Sequence, residues 1–302
     1  MFSMGKIVII GSSNTDLVVK TEHIPASGET VMGNNLMIAS GGKGANQAVA
    51  AKRLGGDVVF VAKLGKDFFG DNVFSLLMEE GFAPQYLMRE EDSASGVALV
   101  TVDKAGENCI VVAPGANYSW TKNDVDRVRE EISTAEIVLL QLEIPMDIVR
   151  YIVDIACSFG VKVILNPAPA VCLDDDLLSK LYMITPNEAE CRRICGTEDD
   201  FVRNAKVLLD KGVKNVVVTL GGKGSAIVSR DGVKMIPARK VKVVDTTAAG
   251  DTFNGALCVA LAGGRELEDA VRFATDAAAI SVTRPGAQPS VPTLDEVNNF
   301  KE

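Results

Sequence analysis

The chain has 302 residues, 47% of them hydrophobic and 24% charged, a globular composition that excludes a disordered or fibrous protein. That length suits one large α/β domain or two ordinary ones, and it buries about three-quarters of the unfolded surface without disulfides or a metal. Lys+Arg 31 against Asp+Glu 40 leaves a formal charge of −9, which argues against nucleic acid or an anionic membrane as a partner.

Residues 6–11 form the first apolar run and read as a strand; it is too short for the core of a signal peptide. No apolar stretch approaches the roughly 18 residues that would span a bilayer, so a soluble, cytoplasmic protein is expected. After Gly11 the chain turns polar instead of helical, and 17–20 and 30–39 read as short strands. Helical periodicity covers 45–54 and 70–80, with a strand at 58–63 between them. Segments 96–102 and 108–112 flank Asp103-Lys104-Ala105-Gly106 and read as a hairpin. Strands at 137–141, 161–166, 182–185 and 215–219 then alternate with helices at 122–133, 146–159, 188–195 and 200–211. Arg230-Asp231-Gly232 is a hairpin turn signal, and 250–262, 266–282 and 293–300 are helical.

Strands that are continuously apolar and separated by helices indicate a parallel sheet covered on both faces. The two regions without helices, about 12–40 and 95–115, predict a small β-layer projecting from it. Six cysteines (Cys109, Cys157, Cys172, Cys191, Cys195, Cys258) lie mostly in core-like segments with no C-x-x-C pair, and His23 is the sole histidine. Buried reduced thiols are expected, and a Cys/His zinc site is not.

Two glycine-rich loops, GGKGANQ (41–47) and GGKGS (221–225), fail the P-loop spacing. Gly11-Ser12-Ser13-Asn14 supplies one glycine where the dinucleotide fingerprint needs three. In the first loop, glycines open a helix on which Lys43 and Asn46 share one face, beside backbone N–H groups without helical partners. A polar ligand could meet a cation, an amide and backbone donors there, although an exposed lysine in an ordinary turn reads equally well. Segment 243–255 carries more. Ala248, Ala249 and Gly250 allow close approach to a backbone at a helix start, which is an anion site. Asp251 follows in the first turn, either compensating the helix dipole or accepting a proton from an attacking hydroxyl. Gly255, inside that helix, hints at close packing.

With those segments in view the chain resembles the ribokinase family of carbohydrate and nucleoside kinases. The signatures are GGKGANQAVAAKRLGG (41–56) and DTTAAGDTFNGAL (245–257). GSSNTD (11–16), NPAPA (166–170), TPNEAE (185–190), TLGGKG (219–224) and TRPGAQPSVP (283–292) follow the family's order across essentially the whole chain. The resemblance implies a three-layer α/β/α fold over residues 1–302, with a central, mostly parallel sheet and a small β-lid that pairs subunits into a homodimer. It implies Asp251 as catalytic base, with Ala248, Ala249 and Gly250 cradling the transferring phosphoryl group. An Asp of ordinary pKa is a weak base, sufficient if the proton leaves late.

By the same resemblance Asn14, Asp16, Gly42, Lys43, Asn46 and Glu143 contact the sugar. Asn187 and Glu190 lie near the ATP phosphates and their Mg²⁺, acting through water. Thr219, Gly221, Gly224 and Gly250 surround the nucleotide, and Thr275 lines its adenine pocket. Asp245, Thr247, Ser281, Arg284, Gly286 and Ser290 correspond to a K⁺ site built mostly of backbone carbonyls, an oxygen-only set that suits a hard cation. The activity so implied is transfer of the ATP γ-phosphate to O5 of D-ribose. Relatives acting on deoxyribose, fructose or a nucleoside are the alternatives, the last disfavoured by a lid poor in aromatic residues. A dehydrogenase fails on the missing glycine fingerprint. A catalytically silent sugar binder would not require Asp251.

Overall fold

Runs of Val, Ile and Leu that are apolar at every position need cover on both faces, and the central sheet of this protein is assembled from them. A computed structural model describes residues 4–300. The chain opens with β1 (Lys6–Ile10), β2 (Asn14–Lys20), β3 (Met37–Gly41), α1 (Lys43–Arg53) and β4 (Asp57–Gly65). It continues through α2 (Phe68–Glu79), β5 (Leu87–Glu90), β6 (Gly96–Val102) and β7 (Asn108–Ala113). Next come α3 (Lys122–Asp126), α4 (Arg129–Ser133), β8 (Ile137–Leu140), α5 (Met146–Ser158) and β9 (Lys162–Leu165). Then follow α6 (Asp175–Lys180), β10 (Met183–Ile184), α7 (Glu188–Cys195), α8 (Phe201–Asp210) and β11 (Asn215–Thr219). The last part holds β12 (Ser225–Val228), β13 (Val233–Ile236), α9 (Ala249–Ala262), α10 (Leu267–Ser281) and α11 (Leu294–Asn298).

Nine strands make the large sheet in the order β13-β12-β11-β10-β9-β8-β1-β4-β5. The strands from β11 to β5 run parallel, and β12 and β13 add an antiparallel edge. In β1, Val8 and Ile10 face a core shared with α5, α7 and α8. Ile7 and Ile9 face the opposite core, shared with α1, α9 and α10. All four are fully buried, which is why this strand is apolar at successive positions.

A second sheet, β3-β2-β6-β7, stands apart from the first. It pairs β2 with β6 in parallel, Asn14 opposite Gly96, and β2 with β3 antiparallel, Asn14 opposite Gly41. Across β3, β6 and β7 it leaves Met37, Ile38, Leu99, Ile110, Val111 and Val112 exposed.

The structure corrects several expected elements. The strand expected at 30–39 is β3, beginning only at Met37. Before it lies a turn region with Gly28 at φ 81° and the Glu29 carboxylate accepting from the Ala26 N–H. The helix expected at 122–133 is two: α3 ends in a tight turn, the Val128 N–H donating to the Val125 carbonyl at 3.0 Å, before α4 begins. Short β5, at the edge of the sheet, and short α6, capped by Asp174, were not expected. All six cysteines are free, but only Cys191 and Cys258 are buried; Cys109 and Cys172 are exposed. Cys109 lies on β7, whose every residue is exposed, so its apolar neighbours face outward.

Helices α1 and α9 meet at Gly255. A Cβ there would lie 2.6 Å from the Gln47 carbonyl, 2.7 Å from Ala50 Cβ and 2.9 Å from the Ala51 N. Backbone cannot yield as a side-chain tip would. Gly255→Ala therefore sets a propensity gain of about 1 kcal/mol against overpacking of about 1–3 kcal/mol. Overpacking should win, and thermal unfolding should show a lowered Tm; a raised Tm would mean the two helices are free to separate.

Candidate active site

In a parallel sheet the crevice outside the carboxyl ends of the strands collects ligand-binding loops, and the site is assembled there. Helix α1 starts at Gly42, held at φ 87° with no side chain to cap the helix. A Cβ on Gly42 would lie 2.7 Å from the Asn14 N, so the starts of β2 and α1 are pressed together. The cap comes from elsewhere: Glu143, just beyond β8, accepts the Lys43 N–H at 3.0 Å and the Ser12 hydroxyl. Asp16 enters beside Gly41, where a Cβ would stand 2.3 Å from its Oδ2. Asn14 accepts from Asn117 Nδ2 at 2.7 Å.

Helix α9 supplies the opposite wall. Its first cap residue, Ala248, has φ 57°, a left-handed conformation uncommon for alanine, and no side chain caps the helix. The Ala249 N–H donates to the Thr246 carbonyl at 3.3 Å, which leaves the Gly250 and Asp251 N–H groups as the sharper part of the expected cradle. A Cβ on Gly250 would meet nothing within 4 Å, so the space over the helix start is open. Asp251 is only 7% exposed. Its Oδ2 accepts from Asn46 Nδ2 and its Oδ1 from Gln47 Nε2, both at 3.0 Å.

A cavity of about 240 Å³ joins these walls, lined by Lys43, Asn187, Glu190, Thr219, Ala248, Ala249, Gly250 and Asp251 together with Asn166, Thr185, Thr246 and Asn254. Asn187 and Glu190 form a reciprocal capping box at the start of α7, each N–H donating to the other's side chain at 2.8 Å. That geometry makes Glu190 a fixed carboxylate on the cavity wall. Asn187 also bridges to Thr219.

Charge is concentrated here. Burial pushes the Asp251 carboxyl above the usual range; Lys43 and the two amides oppose that shift, and Glu143 adds to it. The ordinary pKa expected for this aspartate is thereby corrected upward. Burial, then Glu143 and Asp251, push Asp16 up to about 6. Burial alone would depress Lys43, but Asp251, Glu143 and Glu190 lift it above its usual value. One cation thus faces carboxylates from the loop after β8, α7 and α9.

Other expected residues sit farther out. Gly221 and Gly224 fall in the turn after Thr219, Gly224 at φ 97° with any Cβ only 2.1 Å from the Ile236 carbonyl. Thr275 is buried in α10, its hydroxyl 2.9 Å from Ser225 Oγ and 2.8 Å from the Val271 carbonyl; it does not line this cavity. Behind the helix start, Asp245 accepts from Thr247 N and Thr247 Oγ1 at 2.9 and 2.6 Å and from Gly286 N at 2.8 Å. Those bonds hold its carboxyl below the ordinary value despite partial burial. The Ser281 and Ser290 hydroxyls donate to Ala278 and Ala287 carbonyls, and Arg284 pairs with Glu296. Among the described residues no group of three or more His, Cys, Asp or Glu could hold a metal ion.

Gln47, Gln141, Asn117, Asn166, Thr185 and Asn254 were not expected in the site. Gln47 neighbours Asn46 in the same loop, and Asn166 and Thr185 open two of the family-like segments, so position in those segments was the available signal. Asn254 lies inside the 245–257 signature, whereas Gln141 and Asn117 gave no such signal.

The ionisation of Asp16 supplies a test. Raised from 3.8 to about 6, it favours folding most below the unfolded value, and that stability is lost as pH climbs through about 6. Asp16→Asn should therefore stabilise the unliganded protein at pH 7.5 by on the order of 2 kcal/mol, with the advantage gone below about pH 4. Denaturant melts across that range check it; a variant less stable than the parent at pH 7.5 would contradict it.

The model of the pfkB family carbohydrate kinases matches residues 4–294. The chain belongs to that family. A ribokinase of Haemophilus influenzae is 41% identical over 300 residues, covering 98% of either chain. A deoxyribokinase of Salmonella typhi is 36% identical over 299 residues, 97% of this chain and 98% of the relative. The structure of Arabidopsis thaliana ribokinase complexed with ribose and ATP superposes with a TM-score of 0.92 at 34% identity, covering 98% and 99% of the two chains. The pfkB kinase described here therefore has the ribokinase-like α/β fold, with a mostly parallel sheet between helices and a separate small sheet.

Proposed function

We propose that this kinase transfers the γ-phosphoryl group of ATP to O5 of D-ribose. The observation that carries the reading is the buried Asp251 carboxylate, fixed by two amide N–H groups beside the uncapped start of α9. Full-length similarity to a ribokinase, and to one crystallised with ribose and ATP, supports the substrates. The acceptor hydroxyl lies against Asp251, which takes its proton as the oxygen attacks. Its raised pKa makes it a stronger base than a solvated aspartate, while Lys43 and the amides favour the ionised form the step requires. Charge spreads over the equatorial oxygens of the transferring group, and the Gly250 and Asp251 N–H groups meet it without reorganisation.

Asn14, Asp16 and Glu143 offer carboxylate and amide acceptors to several hydroxyls at once, and Lys43 a cation. A site built on such pairs rejects an acceptor that lacks a hydroxyl. Deoxyribose is the second reading, favoured by the deoxyribokinase at similar identity. Mg²⁺ fits the Asn187 and Glu190 corner, since that ion keeps its waters and takes one or two carboxylates along with substrate phosphates; bound there it would neutralise phosphate charge. K⁺ fits behind α9. There the Ser281 and Ser290 hydroxyls and the Arg284 guanidinium are turned to other partners, so the set can offer Asp245 and backbone carbonyls, all oxygen. Thr246, next to that set, lines the cavity, so the ion would order the helix start without touching the acceptor.

Residues 1–302 are read as one domain whose small sheet is a lid. Its exposed Met37, Ile38, Leu99, Ile110, Val111 and Val112 suit pairing with a second copy. Free cysteines throughout suit a cytoplasmic protein, and among the described residues no helix is long and apolar enough to cross a membrane.

Asp251→Asn should lower kcat by about 10²–10⁴-fold with the KM for ribose changed only a few-fold; near-parental turnover would remove Asp251 from the base role. Lys43→Ala should instead raise KM more than it lowers kcat. Asn46→Ala should raise KM and lower kcat as well, because Asn46 holds the base. Replacing K⁺ with Na⁺ should reduce kcat in initial-rate assays, and an unchanged kcat would refute the cation site.

A further inference from the structure

Resting on that reading of Asp251 as the base, we propose that Gln141 and Gln288 are positioning residues that fix the direction of the two amides gripping its carboxylate. A side-chain amide has a donor end and an acceptor end of nearly equal shape, and facing the wrong way it would present oxygen to a carboxylate. Here both acceptor ends are claimed from outside. Gln141 Nε2 donates to Gln47 Oε1 at 2.6 Å, and Gln288 Nε2 donates to Asn46 Oδ1 at 3.3 Å. With their oxygens so held, Gln47 and Asn46 must turn N–H toward Asp251 Oδ1 and Oδ2. Gln47 Nε2 also donates to Asn166 Oδ1 at 3.0 Å, and Asn166 Nδ2 is committed to the Thr185 carbonyl at 3.2 Å. Each hydrogen of Gln47 Nε2 thus has its own acceptor.

Neither outer glutamine touches the cavity, and both are buried. Gln141 Oε1 is buried without a hydrogen-bond partner in the protein. The backbone accommodates it: a Cβ on Gly11 would lie 2.1 Å from that oxygen, so glycine at position 11 is what leaves Gln141 its room. Gln288 comes from the segment between α10 and α11, and its carbonyl accepts from Arg53 at the end of α1. The two props therefore descend from different elements onto consecutive residues of α1.

The test uses Gln141→Leu and Gln288→Leu in the full chain, with Gln47→Met as the direct control. Leucine removes the donor and, at 141, the unpartnered oxygen with it, so folding should survive; Gln288→Leu covers the case in which Gln141→Leu does not fold. Either leucine variant should lower kcat for ribose about 10-fold, and Gln47→Met about 100-fold, with KM within about threefold. The Asp251 carboxyl, followed by ¹³C NMR in the unliganded protein, should titrate at higher pH in each variant. An amide that no longer donates stops favouring the ionised form, and Lys43, Asp16, Glu143 and Glu190 around the carboxylate are left in place. An Asp251 midpoint unmoved in both leucine variants overturns the proposal, as does parental kcat in both. If the parent fails to phosphorylate ribose while the Asp251 midpoint still moves, the substrate reading falls and the positioning role stands.

Discussion

A carboxylate taken out of water must be compensated or it takes up a proton, and the site is organised around that constraint at Asp251. Nearly complete burial raises its pKa, which strengthens it as a base but threatens to neutralise it. One amide N–H on each oxygen and the Lys43 ammonium hold the balance. Lys43 is itself held charged by Glu143, Glu190 and Asp251. The acids and the cation are thus mutually dependent, and removing any one redistributes the ionisation of the rest.

The fold supplies these groups from strand ends and helix starts, where backbone is already committed and side chains are free to converge. Helix α1 brings Lys43, Asn46 and Gln47 in one turn; α9 brings Asp251 and the small residues before it. Contact through Gly255 holds the two helices at a distance only glycine permits, so the amides and the acid keep their separation as one rigid piece. Glu143 contributes twice, as the missing cap of α1 and as a charge beside Asp16.

Much of this was legible in the residues. Continuous apolar runs announced the parallel strands, the two helix-free intervals announced a second sheet, and Gly255 announced a close helix contact. The small residues before Asp251 marked the open, uncapped start of α9. What could not be read was tertiary. Gln141 lies at the end of an apolar strand, and nothing local distinguishes it from a strand terminus. Asn254 looks like any polar helix residue until the Thr185 hydroxyl is found donating to it. The break between α3 and α4 depends on a single tight turn, and the apolar character of β7 suggested burial where the strand is in fact exposed.

The elements divide unequally. Asn14 and Asp16 stand on β2, in the small sheet, whereas Asp251, its amides and the glutamines behind them stand on α1, α9, the end of β8 and the segment before α11. With the proposed roles, substitutions along β2, β3 and β6 would reshape which alcohol is admitted while the apparatus behind them stays intact. Selection on such a molecule can alter its diet without rebuilding its chemistry.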